Sequence, residues 1–365
     1  MIIGVPKERR PYEFRVGLPP SGVSLFSTHD HVVYVERGAG VGAGFSDDDY
    51  AQAGAVIAYS EEEVLGRADI VLKFARPLGE ELELLRERQT LLGFFHMEAA
   101  REEKIALLMR KGITSIAYEQ IEDDDGYFPV LAPASQLGGR LVVQVAARLM
   151  QNDFGGRGIL LGNIVGAPAP EVVIIGAGMV GGTAATTFAA FGAHVTILDV
   201  DLRRLQDLQT GSNCSLVTML ATPYNIRRAC SYADVVVGAV YVPGQRAPVV
   251  VSREIVSRMK RRAVIIDMAI DSGGCVETSR PTSHGSPTFI EEGVIHCCVP
   301  NLPGILGRTG THVLFTAAYS YLEAIAKMGV DKALQEIPAL ERGVNTYQGQ
   351  VRHLNRLVEV GSSYK

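Results

Sequence analysis

The chain has 365 residues, of which 47% are hydrophobic and 21% charged, and its formal net charge is −5. That length suggests two domains at roughly 100–200 residues each, and the apolar content provides for sizeable cores rather than disorder. The 35 basic and 40 acidic residues form no basic block or arm, which argues against nucleic acid as a partner.

The chain opens with "MIIGVPKERR", a short apolar strand followed by charges, the reverse of a secretory signal. No apolar run approaches the roughly 18 residues of a membrane span, so no membrane is expected. Further strands are expected at 32–35, 55–58, 70–74, 90–94 and 114–118, with helical patterns between them. One such pattern, 102–112, carries Ile105, Leu107, Leu108 and Met109 on one face and has Gly112 to stop it. A long helix near 134–151 follows, with Leu141, Val142, Val145, Ala146 and Leu149 at helical spacing.

A second series of strands is expected at 172–175, 195–198, 235–240, 263–267 and 294–299, and then an apolar-faced helix over 313–329. Near-continuous apolar strands alternating with helices indicate parallel sheets covered on both faces. Two α/β units are therefore expected. The five cysteines (Cys214, Cys230, Cys275, Cys297, Cys298) match no zinc pattern, and their odd number argues against a disulfide framework. A reduced, cytoplasmic protein without a metal is the expectation.

The strongest chemical signal is "EVVIIGAGMVGGTAATTFAAFGAHVTILDVD". A strand leads into Gly176, Gly178 and Gly181 in a G-x-G-x-x-G turn, then a helix and a second strand ending at Asp199. The first glycine permits the tight turn, the second lets backbone approach a pyrophosphate, and the third lets the helix pack close to the sheet. The helix N-terminus offers unpaired N–H groups to phosphate. Asp199 lies where a carboxylate accepts ribose hydroxyls and repels a 2′-phosphate, favouring NAD over NADP. Arg203 and Arg204 nearby weaken that preference.

His96 ends "TLLGFFH"; on its own it reads either as a core or capping histidine or as a general acid/base. Asp267 and Asp271 follow a strand, at the end where open α/β sheets bind ligands. Arg15 matters only if the substrate is an acid, which guanidinium grips well. In "ADIVLKFARP", Lys73 interrupts a buried strand, a costly place for an ammonium unless it is paired.

Several blocks, in order, carry a resemblance: "MIIGVPKE", "RGAGVGAGFSDDDYAQAGA", "GGRGILLGN", "GAVYVPGQRAPVVVSREIV", "DMAIDSGGCVETSRPTSH" and "GVNTYQGQV". Over nearly its full length the chain resembles the alanine dehydrogenase/pyridine nucleotide transhydrogenase family. The resemblance implies reversible NAD-dependent oxidation of an L-amino acid to a 2-oxo acid and ammonia. It also implies a homo-oligomer, with a hexamer favoured. The implied fold is a Rossmann NAD-binding domain, residues 131–307, inserted in a discontinuous flavodoxin- or Rossmann-like substrate domain, residues 1–130 plus 308–365. Carried over by motif, Arg15 would hold the substrate carboxylate, His96 would be the acid/base and Asp271 would act at the reacting carbon. Gly176, Gly178, Gly181, Asp199, Arg204, Ser135 and Asn301 would line the cofactor.

The chain also departs from the family pattern. Where the family has Lys-x-Lys-Glu-Pro, this sequence has Lys73-Phe74-Ala75-Arg76-Pro77, so Ala75 stands in place of the substrate lysine. Residues 73 and 75 of a strand share a face about 6.5–7 Å apart, so the long Lys73 side chain is expected to cover part of the space at Ala75. Ala134 stands where the family commonly has Met, and Glu98 lies two residues after His96. A wider pocket is expected, for a substrate larger or more anionic than alanine, with Arg76 meeting an extra anionic group. The alternatives are reductive condensation of a 2-oxo acid with an amino acid's amine, or an NAD-binding protein that has lost catalysis.

Overall fold

The computed structural model describes residues 1–97, 100–242 and 246–354. The chain divides into two compact units, residues 1–134 with the chain from Gly304 onward, and residues 135–303. The expected boundaries lie four residues from these at each junction.

Fifteen strands occur among the described residues: β1 (Ile2–Val5), β2 (Val32–Glu36), β3 (Val56–Ala58), β4 (Ile70–Ala75), β5 (Thr90–Phe94), β6 (Thr114–Ala117), β7 (Glu171–Ile175), β8 (His194–Asp199), β9 (Val217–Leu220), β10 (Val235–Gly238), β11 (Val264–Asp267), β12 (Thr288–Glu291), β13 (Val294–Cys297), β14 (Val344–Tyr347) and β15 (Gln350–Val351). In the first unit they lie in the order β3-β2-β1-β4-β5-β6-β14-β15, and in the second β9-β8-β7-β10-β11-β13-β12. The first six strands of each sheet are parallel, whereas β12, β14 and β15 pair antiparallel at sheet edges. Counted within its own unit, each parallel set has the order 3-2-1-4-5-6. Of the two orders left open for the substrate domain, the Rossmann one is found. That order reverses between β1 and β4 and between β7 and β10, and ligands of such sheets bind beyond the strand carboxyl ends at the reversal.

Burial explains the unbroken apolar runs. Every residue of β4 and β5 is buried, because helices cover both faces of the sheet. The helix Leu131–Leu149 begins three residues before the expected start. Pro133 falls in its first turn, where a missing N–H costs nothing. The helix Gly307–Met328 puts Leu314, Ala318, Leu322 and Ile325 into the same core as Ile3, Val5 and Phe26. Among the described residues no helix is long and apolar enough to cross a membrane.

Lys73 answers its own anomaly differently from the expectation. It is 2% exposed, and its ammonium donates to Glu81 and lies 3.3 Å from Glu8. Glu8 also accepts the Phe74 N–H at 2.6 Å, and Glu81 accepts the Leu78 N–H at 2.5 Å. The expectation that Lys73 covers part of the space at Ala75 is corrected: its ammonium is paired with Glu81 and Glu8 inside the unit. Alternation is also reset between the two residues. Leu72 pairs with Leu92 but Ala75 with Phe94, so β4 carries one residue more than β5 over this stretch, a bulge.

Two carboxylates share this one ammonium. Burial pushes the Glu8 carboxyl above its ordinary range, with Lys73 pulling the other way. Burial opposes the charge on Lys73, but Glu8 and Glu81 together raise its proton affinity. Lys73→Met should therefore cost about 3–5 kcal/mol at pH 8, because it leaves two buried carboxylates uncompensated. A carboxyl whose folded pKa is raised favours the fold at low pH and loses that contribution as pH rises through it. The deficit should thus shrink as pH falls towards 4.5, the ordinary value for glutamate. Urea unfolding of both proteins at the two pH values checks this; an equal deficit at both would refute the assignment.

Candidate active site

In the first unit the site residues gather around the carboxyl ends of β4 and β5. The loop bearing Arg15 crosses β4 at Gly17, where an added Cβ would sit 2.2 Å from the Leu72 carbonyl oxygen, so only glycine allows the approach. This sets the Arg15 guanidinium 3.8 Å from the centre of the Phe74 ring, a cation–π contact. Arg15 is 6% exposed, and its Nε and Nη2 both donate to the buried Glu13, the former at 2.6 Å. The edge of the guanidinium best shaped for a carboxylate is thus committed within the unit.

His96 lies two residues beyond β5 and is exposed, with a left-handed backbone at φ 45°. Such a conformation is costly for a non-glycine residue and persists where its surroundings impose it. Here the imposing group is Glu119, 4% exposed, whose carboxylate accepts the N–H groups of both Phe95 and His96. From the other side, Arg76 Nη1 donates to the His96 carbonyl at 3.0 Å. Main chain on both sides of the imidazole is therefore fixed. Nothing in the sequence flagged Glu119 for this role beyond its place just after β6. Ala75 is 8% exposed at the end of β4, and Ala134 packs half-buried against the core of this unit. Glu98 lies outside the described residues.

The second unit carries the glycine turn. Gly176 has φ 106°, and a Cβ there would meet the Ala239 carbonyl oxygen at 2.3 Å. At Gly181 a Cβ would lie 1.8 Å from the Gly176 oxygen, so helix and turn touch. Gly178 caps the helix Met179–Ala190, and no atom lies within 4 Å of where its Cβ would be. The turn thus has two glycines forced by the protein's own packing and one that faces open space at a helix N-terminus. That open space fits a pyrophosphate, which needs close backbone and unpaired N–H donors.

Asp199, 6% exposed, accepts the N–H groups of Ala177 at 2.5 Å and Asp201 at 2.8 Å. This fixes a carboxylate at the end of β8 beside the turn, where ribose hydroxyls would be held. The residues present therefore suit NAD. Arg204 is about half exposed and lies 3.8 Å from Asp201, and Ser135 is half-buried in the second turn of the helix from Leu131.

Asp271 stands exposed on the turn Ile270–Ser272, beyond β11. Its carboxylate accepts the Asn301 N–H at 3.0 and 3.2 Å, and Asn301 is itself left-handed at φ 52°. The expected cofactor residue Asn301 and the expected reacting-carbon residue Asp271 are thus brought together through main chain. Asp267 is buried and accepts the N–H groups of Ala269, Cys275 and Val276, which shape the loop after β11.

Two family models cover these units: the N-terminal domain of alanine dehydrogenase/PNT matches residues 4–138, and its C-terminal domain matches residues 142–354. The chain belongs to the alanine dehydrogenase/pyridine nucleotide transhydrogenase family. The alanine dehydrogenase of Methanococcus maripaludis is 42% identical, covering 97% of this chain and 95% of the relative. That of Staphylococcus haemolyticus is 40% identical, covering 100% and 97%. Among solved structures, an L-alanine dehydrogenase superposes with a TM-score of 0.93 at 41% identity, covering 99% of each chain. A transhydrogenase from Sinorhizobium meliloti shares the fold at 23% identity and a TM-score of 0.81, covering 97% of this chain and 99% of its own.

The contrast between glycines gives a prediction for this member of the family. Gly178→Val should leave the melting temperature within about 2 °C, as substitutions into open space usually do, while weakening NADH binding about tenfold or more by occupying the phosphate's place. Gly181→Val should instead lower stability by about 1–3 kcal/mol or more through overpacking. Thermal melts with NADH fluorescence titrations separate the two, and unchanged NADH affinity in Gly178→Val would refute the placement.

Proposed function

We propose that His96 and Asp271 carry the reversible oxidative deamination of an L-amino acid. The enzyme class, an NAD-dependent oxidoreductase acting on CH–NH2, accords with family membership and with relatives near 40% identity over the whole chain. The overall reaction converts amino acid, water and NAD+ to 2-oxo acid, ammonium, NADH and a proton. Bound NAD supplies the acceptor for the hydride leaving the substrate's α-carbon.

The observation that carries the assignment of the acid/base is the pinned turn at His96. The imidazole is exposed at the carboxyl end of β5, on main chain that Glu119 and Arg76 hold from both sides, and imidazole is a common proton-transfer group. In the deamination direction it takes the proton of the attacking water, and it later returns a proton to the departing amine. Arg15, stacked on Phe74 and paired with Glu13, steadies the substrate carboxylate. Asp271 presents a carboxylate oriented by the Asn301 N–H to the amino or carbinolamine group. A cytoplasmic homo-oligomer, in which a hexamer is favoured, completes the reading.

Following NADH oxidation with ammonium and a panel of 2-oxo acids tests it. His96→Ala should lower kcat by about 10²–10⁴-fold, the usual worth of a positioned acid/base, with NADH affinity little changed. A purified protein that binds NADH yet turns over no oxo acid would reduce the proposal to nucleotide binding alone.

A further inference from the structure

The reaction as derived leaves a deeply buried carboxylate of the second unit without a task. Asp267 is 1% exposed and ends β11, four residues before Asp271. A charge in such a place is costly unless hydrogen bonds compensate it. Its Oδ1 accepts the Ala269 N–H at 3.0 Å and the Cys275 thiol at 3.5 Å. Its Oδ2 accepts the N–H groups of Cys275 at 3.0 Å and of Val276 at 3.3 Å. Burial, and then the Asp267 charge, push the Cys275 thiol well above its ordinary range, so the sulfur keeps the proton that it donates.

These donors come from the two ends of one loop. The chain leaves β11 at Asp267, passes through Ala269 and returns at Cys275 and Val276, with Asp271 midway. One carboxylate oxygen thus holds the entrance of the loop and both together hold its exit. Between the ends, the Ala269 carbonyl accepts the N–H groups of Ser272 and Gly274 at 2.9 Å each, and the Ile270 carbonyl accepts that of Gly273 at 3.0 Å. Those bonds close the turn on itself, and the Ala247 N–H reaches the Ser272 carbonyl from outside at 2.9 Å. The neighbouring glycines are fitted to the clasp. A Cβ at Gly274, where φ is 83°, would lie 3.0 Å from Asp267 Oδ2, and one at Gly238 would lie 2.4 Å from the Cys275 sulfur.

We propose that Asp267 is the positioning residue of Asp271, holding both ends of the loop so that the Asp271 carboxylate stands where the reacting group of the substrate arrives. This rests on the role proposed above for Asp271. Asp267 touches no substrate and acts only through the loop. Its place calls for two accepting oxygens, which an ionised carboxylate has and an amide of the same shape lacks. An asparagine that keeps its oxygen on the N–H groups of Cys275 and Val276 turns its NH2 towards the Ala269 N–H, donor against donor. The entrance of the loop is then released. In the opposite orientation the NH2 meets the two N–H groups of the exit, and the exit is released instead.

Asp267→Asn, Asp271→Asn and the double variant are compared with the unaltered protein in NADH oxidation, using ammonium and the fastest 2-oxo acid of the panel above, and in NADH fluorescence titrations. Asp267→Asn should lower kcat about ten- to a hundredfold, the worth of a displacement near 1 Å. The KM for the oxo acid and the affinity for NADH should stay within about threefold. Once Asp271→Asn is present, adding Asp267→Asn should lower kcat by less than about threefold more, because residues that act as a unit are not additive. A general loosening of the unit would instead weaken both affinities and multiply the two losses. Should Asp267→Asn not fold, Gly274→Ala replaces it in every comparison, since its Cβ presses on Asp267 Oδ2, and the same pattern is expected. An unchanged kcat in Asp267→Asn, or losses that multiply in the double variant, would overturn the inference and leave the role of Asp271 intact. An unchanged kcat in Asp271→Asn would overturn that role, and the inference with it.

Discussion

The first unit is organised around one buried charge. The Lys73 ammonium, sealed between Glu8 and Glu81, ties the segment after β1 to β4 and to the short helix Gly79–Leu84. Glu8 also holds the Phe74 N–H, so the end of β4 is fixed from the side of β1. Everything placed beyond that end inherits the constraint: Phe74 beneath Arg15, Ala75 at the rim, and Arg76 reaching to His96. Buried ion pairs are costly to assemble and more costly to break singly, which suits a group whose role is to specify geometry rather than to add stability.

The two units solve the same topological problem with different chemistry at the reversal of strand order. In the second, the reversal next to β7 is lined by backbone: a glycine turn, a helix N-terminus and one oriented carboxylate. In the first, the corresponding end is lined by side chains that bear charge and by an imidazole on a forced turn. Backbone donors suit a phosphate-rich ligand of fixed shape, and side chains suit a small acid whose identity varies. The fold supplies the position in both cases, and the local residues supply the selectivity.

Much of this was legible in the sequence, for identifiable reasons. Strands such as β1, β5 and β7 are buried on both faces, so their apolar runs are nearly unbroken and their positions are plain. β9, β12, β14 and β15 were not anticipated: they are short, lie near sheet edges and mix Thr, Asn, Gln or Glu with apolar residues, which dilutes any periodic signal. The glycine turn and Asp199 were readable because their spacing is set by local geometry. Lys73 was not, because its partner Glu8 lies 65 residues away in the chain and a bulge in β4 undoes the alternation on which the reading relied. Glu119 escaped for the same reason, since its role depends on pairing between strands rather than on its neighbours in sequence.

The contact between Asp271 and Asn301 has a genetic side. Its donor is a main-chain N–H, so truncating the Asn301 side chain leaves the hydrogen bond chemically possible, and an alanine scan would pass over it. What the position demands is tolerance of a left-handed backbone, which asparagine grants far more readily than a β-branched residue does. Sequence variation at this position is therefore filtered by backbone conformation before it is filtered by side-chain chemistry. A residue can orient a neighbouring carboxylate while contributing to it only the part that every amino acid but proline possesses.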